Sequence, residues 1–153
     1  MTNDELTEAL KVFIGKPASE LLLHREPMLL IDRLVDIGAE FVSCEWQAGK
    51  SAFAEPDGRI PAYTGIETMA QCIGVHAGAR AKVRGLGPPL GYLLGTRHFN
   101  TSIAYFEPGI TYTATCTELV RDSQGMGSFA CELTAGGERL ASANLAVLEH
   151  PQG

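Results

Sequence analysis

The sequence lacks the patterns that mark several large protein classes. No apolar run approaches the roughly 18 residues that a membrane-spanning helix requires, and the acidic, amphipathic N-terminus does not have the form of a secretory signal. Glycine-rich nucleotide-binding motifs and the G-x-S-x-G motif of many hydrolases are also absent. We therefore expect a cytoplasmic protein without a membrane span and without a cofactor.

Cysteine and histidine are few, and their spacing does not form a metal site. The chain has four residues of each type, and no C-x-x-C pair or closely spaced Cys/His group occurs. In a cytoplasmic chain, scattered cysteines are expected to be buried free thiols. The cysteines are Cys44, Cys72, Cys116 and Cys131.

Positive charge is scarce. The chain carries 12 Lys and Arg against 18 Asp and Glu, a net charge of −6, which argues against nucleic acid as the main partner. Four cations nevertheless fall in one region: Arg80, Lys82, Arg84 and Arg97. They are suited to receive an anionic group, or they simply solvate a helix end, where cations are also favoured by the helix dipole.

The 153 residues suit a single domain spanning residues 1–153. A short amphipathic helix is predicted over 3–14, capped by Asn3 or Asp4, and one long helix over 62–84. Strands are predicted over 28–37, 41–46, 91–106, 110–116, 129–133 and 140–148, with a tight turn at 136–137. One antiparallel sheet with a single long helix is an α+β arrangement.

The start of the long helix contains a carboxylate, Glu67, in the segment IPAYTGIETMAQ. A charge is rare on a mainly apolar helix face unless it is capped, paired or functional. One interpretation is a capping box between Thr64 and Glu67. The other is a general acid or base at the mouth of a pocket. Helical spacing places Gln71 in the same strip and His76 on the opposite side, so we interpret His76 as a surface residue.

The other histidines have ordinary explanations when each is considered alone. His24 precedes the first predicted strand and is interpreted as a loop residue. His98 is expected to be solvated or on a sheet face, and His150 to be exposed in the C-terminal tail.

Three segments carry a resemblance to a known family. LLLHREPMLLIDRLVDI resembles the opening strand of the FabZ-type 3-hydroxyacyl-ACP dehydratases, and IPAYTGIETMAQ resembles the start of their central helix. LGYLLGTRHFNTSIAYFEPG resembles their next strand and its Pro-Gly turn. The order holds from about residue 18 to residue 148. Within the superfamily, PAYTGIETMAQ and LGYLLGTR are most similar to the ApeP-like dehydratases of aryl-polyene gene clusters.

This resemblance implies a hotdog fold, in which a curved antiparallel sheet wraps one long helix. It implies a homodimer, or a heterodimer or hexamer with a related dehydratase, that removes water from a 3-hydroxyacyl thioester on an acyl carrier protein. Glu67 aligns with the catalytic carboxylate of the family. The resemblance further implies substrate contacts from Gln71 and from helix-start N–H donors that polarise the thioester carbonyl. These donors are Ala62, Tyr63, Thr64 and Gly65.

One feature of the family is missing. Its catalytic histidine lies in a loop about 14 residues before the carboxylate, but residues 50–59 of this chain contain no histidine. We hypothesise that His24 replaces it as the base, with Glu67 as the acid. Asp57 and Glu55 are weaker substitutes.

Three functions remain open at this point. The first is an active dehydratase that uses Glu67 and His24. The second is a non-catalytic hotdog subunit that binds acyl carrier protein or a second dehydratase. The third is an acyl thioesterase that uses a carboxylate and a polarised water.

Overall fold

A computed structural model describes residues 1–49 and 51–150; Lys50 and residues 151–153 lie outside the described residues. The helices are α1 (Asn3–Leu10) and α2 (Gly65–Val83), with short 3-10 turns at Lys11–Phe13, Ala18–Glu20 and Ala62–Thr64. The strands are β1 (Arg33–Ile37), β2 (Phe41–Gln47), β3 (Ile60–Pro61), β4 (Leu90–Thr101), β5 (Tyr105–Phe106), β6 (Thr111–Arg121), β7 (Met126–Ala135) and β8 (Glu138–His150).

Six strands form one antiparallel sheet in the order β1-β2-β6-β7-β8-β4, and β3 pairs with β5 beside it. Burial alternates along β2 and β7, as expected when one face of a strand is covered. The covered face packs on α2, over a core that includes Trp46, Phe106 and Phe129. The predicted α+β hotdog arrangement is confirmed.

Several predicted boundaries moved. Thr2, not Asn3 or Asp4, caps α1, since its hydroxyl accepts the Glu5 N–H. Only Arg33–Ile37 of the predicted strand 28–37 joins the sheet. The long predicted strand 91–106 divides into β4 and β5. The tight turn between β7 and β8 is confirmed, with φ of 58° and 81° at the two central glycines.

The interpretation of His76 as a surface residue was wrong. Its side chain is fully buried in α2, and Nε2 lies 2.9 Å from the carbonyl oxygen of Gly38 in the β1–β2 turn. The helical spacing was correct, because His76 does face away from Glu67. The side of α2 that carries His76 is covered by this turn rather than open to solvent.

No helix within the described ranges has both the length and the apolar character needed to cross a bilayer.

Candidate active site

His24 and Glu67, which are 43 positions apart in the sequence, meet in the folded chain. The Nε2 atom of His24 lies 3.5 Å from Oε1 of Glu67. Both side chains are partly open to solvent, at 41% and 35% exposure. An imidazole and a carboxylate at this separation can exchange a proton directly or through one water. The structure therefore brings together the two side chains predicted as the acid–base pair.

Glu67 does not cap its own helix. The 3-10 turn before α2 puts Thr64 in a helical conformation, and no side-chain capping bond is made. The Thr64 hydroxyl instead donates to the carbonyl oxygen of Pro61, over 2.7 Å. The capping-box interpretation was wrong, because the helical geometry already begins before Thr64. The Glu67 carboxylate is thus available for other partners.

Gln71, one turn further along α2, is the polar centre beneath this pair. Its side-chain oxygen accepts the N–H groups of Leu30 at 2.7 Å and Ile31 at 3.3 Å. Its side-chain nitrogen donates to the Met28 carbonyl at 2.9 Å and to Glu67 Oε1 at 3.1 Å. The residue is only 1% exposed. All four hydrogen-bonding positions of the amide are therefore occupied by the protein itself.

The surroundings of Glu67 favour its ionised form. Burial raises the pKa of the carboxyl, but the interactions with His24 and Gln71 lower it by more, and the pKa lies below the ordinary glutamate value. Among residues 1–49 and 51–150, both of these donors approach Oε1, and no hydrogen bond is made to Oε2. The described contacts therefore hold one oxygen of the carboxylate and leave the other without a hydrogen-bond partner among these residues.

The segment that carries His24 is fastened to α2 by close backbone packing. A β-carbon added at Gly78 would overlap the carbonyl oxygen of Leu21, and one at Gly74 would lie 2.6 Å from a Leu22 methyl group. Arg25 donates to the carbonyl oxygens of Leu22 and His24, at 2.7 and 2.8 Å. Glycine on α2 is therefore required for the approach that places His24 beside the helix.

The loop that lacks the expected histidine runs next to the same segment. The Ala52 N–H donates to the carbonyl oxygen of Pro27 over 2.8 Å. His24 thus projects from a segment in contact with the loop where the family histidine would stand. The weaker substitutes do not reach the site, since Asp57 accepts the Arg59 N–H and the Glu55 N–H donates to the Arg59 carbonyl within their own loop.

A mainly apolar cavity of about 170 Å³, here called the α2 cavity, opens beside the pair. One wall is the side of α2 from Glu67 to Ala77, where Ala70, Gln71, Ile73 and Gly74 also contribute. The other walls are residues 21–24, residues 88–93 and two residues of β8, Val147 and Glu149. Sequence reasoning missed residues 88–93 and β8, because only the sheet topology brings them against the helix.

The predicted substrate contacts at the helix start are not at this cavity. Ala62 and Thr64 are buried, and Gly65 packs against Leu133 and Phe106. The Ala62 N–H already donates to the Ala104 carbonyl oxygen, and the Gly65 N–H bonds within the 3-10 turn. Tyr63 is 70% exposed but does not line the cavity. Two of the four predicted donors, the N–H groups of Ala62 and Gly65, are therefore already used by the backbone.

The predicted cation cluster also divides. Arg80 donates to Glu149 at 2.8 Å, and Arg121 joins the same carboxylate at 3.2 Å. Arg97 lies on β4, away from the C-terminal end of α2. Lys82 and Arg84 remain exposed near that end. Two of the four cations, Lys82 and Arg84, are therefore open to solvent, and neither lines the α2 cavity.

The predictions for the cysteines and for His98 hold, and His150 is exposed as predicted but belongs to β8 rather than to a tail. All four cysteines are buried and free. His98 and His150 are exposed on β4 and β8, where His98 adopts a φ of 56°. Neither lines the α2 cavity.

Known proteins resemble this chain in sequence and in fold. The family model described as ApeP-like, ApeP dehydratase, matches residues 16–152. Among solved structures, the dehydratase heterocomplex ApeI:P from Xenorhabdus doucetiae matches with a TM-score of 0.81 and 29% identity, over 88% of this chain and 91% of that chain. No curated protein matches the chain by sequence.

More distant structures share the fold alone. A mutant of thioesterase PA1618 from Pseudomonas aeruginosa is 12% identical with a TM-score of 0.58, over 78% of this chain and 81% of that chain. Cj0977, a sigma28-regulated virulence protein from Campylobacter jejuni, is 11% identical with a TM-score of 0.61, over 91% of each chain.

Proposed function

The chain belongs to the ApeP-like dehydratase family, and from this premise we propose that it converts 3-hydroxyacyl thioesters on an acyl carrier protein into 2-enoyl thioesters. The observation that carries the proposal is the approach of His24 Nε2 to Glu67 Oε1, at 3.5 Å, on the wall of an apolar cavity. An acid and a base side by side are what the elimination of water requires.

In this reaction the C2–H bond breaks and its electron pair forms the C2–C3 double bond. The C3–O bond breaks as this double bond forms, and the hydroxyl leaves with the C3–O electron pair. One member of the pair takes the C2 proton and the other protonates the leaving hydroxyl, so water is the product. Because the two side chains face each other, the proton can return between them and restore the starting state.

The α2 cavity suits the acyl chain. Its helical wall is made of small residues, Ala70, Gly74 and Ala77, which let a flat chain lie against the backbone. Leu22 and Ile73 make the surroundings apolar. From Glu67 to Ala77 the helix rises about 15 Å. The chain would therefore extend along α2 with its reacting carbons at the Glu67 end.

A carrier protein as the donor of the substrate is supported by charge. Lys82 and Arg84 are exposed at the C-terminal end of α2, and Arg84 lines a second surface pocket together with Pro89, a residue of the cavity wall. An acidic carrier would meet these two cations on a molecule whose net charge is −6.

A second dehydratase subunit is proposed to complete the site. The cavity within one chain is smaller than the roughly 300 Å³ at which ordinary ligand pockets begin. Across the described residues, β4 has a hydrogen-bonded neighbour on one side only. Its exposed apolar side chains include Leu90, Tyr92, Leu93 and Leu94, and several of these also line the cavity. A partner strand on this edge would close the open side of the cavity.

The match to a solved dehydratase heterocomplex favours a related but different subunit as this partner. A chain that works only beside an active dehydratase is therefore the second candidate function. The four buried free thiols support a location in the reducing cytoplasm.

The test is a mass-spectrometric assay of 3-hydroxyacyl-carrier protein with the wild type, Glu67→Gln and His24→Asn. His98→Asn is the matched control, because His98 is an exposed histidine outside the cavity. Loss of one water with the wild type and the control, but not with the two site variants, supports the proposal. Release of a free acid would identify a thioesterase instead. Turnover that requires a second dehydratase, and is unaffected by the two site variants, would identify a non-catalytic partner.

A further inference from the structure

We propose that Gln71 assigns the two roles in the acid–base pair: it holds Glu67 as the ionised base for the C2 proton, and His24 is consequently the acid for the C3 hydroxyl. This inference rests on the proposed dehydratase function. It reverses the assignment expected from the sequence, in which His24 was the base.

The orientation of the Gln71 amide is dictated by the backbone around it. Two N–H donors, from Leu30 and Ile31, point at one end of the amide, so that end must be the oxygen. The other end faces the Met28 carbonyl oxygen, which can only accept. The NH₂ group is therefore the end that reaches Glu67, and a flipped amide would place donor against donor.

A side chain that must donate to Glu67 favours the carboxylate over the carboxylic acid. The Gln71 N–H and His24 Nε2 both approach Oε1, which leaves Oε2 as the oxygen that can accept a proton from a substrate. Gln71 is buried, and its backbone partners allow only one orientation of the amide. The preference for an ionised Glu67 is therefore present before substrate binds. Gln71 is thus a positioning residue: its polar atoms bond within the protein, and it acts on the reaction through Glu67.

The two possible assignments contain the same number of protons. A pair with neutral Glu67 and neutral His24 differs from a carboxylate–imidazolium pair only in where one proton lies. A bell-shaped pH profile would be expected from either, so the profile alone does not distinguish them. The Gln71 donor separates them, because its hydrogen bond to Oε1 is stronger when Glu67 is a charged carboxylate than when it is a neutral carboxyl.

In the proposed direction, Glu67 Oε2 takes the C2 proton and the C2–H electron pair forms the double bond. As this double bond forms, the C3–O bond breaks, and His24 gives a ring proton to the departing hydroxyl, which leaves as water with the C3–O electron pair. Glu67 is left protonated and His24 neutral. Transfer of that proton from Glu67 to His24, directly or through one water, restores the carboxylate–imidazolium pair and balances the cycle.

The first experiment separates the base from the acid. A saturated acyl-carrier protein, which lacks the 3-hydroxyl, is incubated with the protein in D₂O, and exchange at C2 is measured by mass spectrometry. This exchange needs the base but no leaving-group acid. We expect exchange with the wild type and with His24→Asn, and a loss of about 10²-fold or more with Glu67→Gln. Exchange that is lost in His24→Asn and kept in Glu67→Gln would overturn the assignment.

The second experiment uses Gln71→Glu on the true substrate. The new carboxylate keeps an oxygen toward the Leu30 and Ile31 N–H groups, but it replaces the donor to Glu67 with a like charge. Two carboxylates that share a site raise each other's pKa, so Glu67 is protonated more often than in the wild type. We expect the rate of dehydration to fall about 10-fold or more, because a rise of one unit in the pKa of Glu67 corresponds to roughly 1.4 kcal/mol. If Glu67 were the acid, the rate would be unchanged or higher.

Gln47→Glu is the matched control, since Gln47 is an exposed strand residue that bonds only to Thr111 and Asp32. This second test decides the question even where the wild type catalyses no exchange on the saturated analogue. Failure of the proposed function is a separate result: the wild type would then release no water from any 3-hydroxyacyl substrate.

Discussion

The backbone of Gly78 lies directly against the carbonyl oxygen of Leu21, with no room for a β-carbon between them. This approach joins α2 to the segment that ends in His24. The contact is with main-chain atoms, so it cannot be relieved by a change of rotamer. The position of the histidine beside Glu67 thus depends on a glycine eleven residues further along the helix.

Gly78→Ala is therefore expected to destabilise the protein by roughly 3 kcal/mol, although alanine normally favours a helix. Gly74→Ala should cost less, because it meets only the movable end of the Leu22 side chain. Gly87→Ala, where a β-carbon would meet nothing, is the control. Thermal unfolding of the three variants gives the order. Equal stability of Gly78→Ala and Gly87→Ala would show that the helix is not held in this way.

Gln71→Met should cost roughly 3 kcal/mol of unfolding free energy. The substitution keeps the length of the side chain but leaves the Leu30 and Ile31 N–H groups and the Met28 carbonyl without their buried partner. Denaturant unfolding measures the loss. Gln47→Met, at the exposed end of β2, is the control and is expected to change stability by less than about 0.5 kcal/mol. A similarly small change for Gln71→Met would contradict the role of the amide as an anchor.

The burial of His76 is expected to make the folded protein less stable in acid. Burial lowers its pKa to about 4, against 6.5 for the ordinary side chain. Between these values the unfolded chain binds a proton that the native state does not, so stability falls as the pH falls from about 6.5 to 4. The expected contribution is about 3 kcal/mol.

His76→Gln should consequently show a flatter dependence of unfolding free energy on pH over this range, even if it is less stable at pH 7. His150→Gln, at an exposed position, serves as the control. Parallel pH curves for the wild type and His76→Gln would mean that another group accounts for the acid loss.

Ala77→Met should shorten the α2 cavity at the end away from Glu67. Because Ala77 lies about 15 Å along the helix from the carboxylate, kcat/KM for long acyl chains is expected to fall, while short chains are little affected. Ala146→Met is the control, as Ala146 is next to Val147 on β8 but is not part of the cavity wall. Equal losses for short and long chains would place the acyl chain elsewhere.

Leu94→Lys should weaken association at the β4 edge. Leu94 is exposed beside the cavity but does not line it, so the site within the chain remains intact. Sedimentation, alone and with a related dehydratase, is expected to show a loss of the complex. Leu119→Lys, at an exposed leucine on β6, is the matched control. Retained assembly in Leu94→Lys, or equal loss in both variants, would exclude this edge as the interface.

Much of the fold followed from local patterns. The long helix, the alternating strands and the Gly136–Gly137 turn were predicted because each depends on neighbouring residues and a fixed period. The errors came where tertiary packing intervenes. His76 was assigned the correct side of α2, but a turn of another element covers that side. Thr64 was expected to cap α2, but the chain is already helical there.

The site shows the same division. Glu67 was singled out because a carboxylate is unusual on an apolar helix. His24 was linked to it only through the family resemblance, because this chain lacks the usual loop histidine of that family. Gln71 was expected to contact substrate, yet its amide is fully used by the backbone of residues 28–31. A polar residue one turn from Glu67 was the only available signal of this arrangement.

The sequence by itself determined that this chain forms one antiparallel sheet with one long helix and carries a lone carboxylate at the helix start, because periodicity and composition act over a few residues. Only the tertiary structure decided that His24 is the partner of Glu67, that Gln71 holds the carboxylate, and that β4 and β8 enclose the cavity. These relations join residues tens of positions apart, and they exist only once burial has brought the segments together.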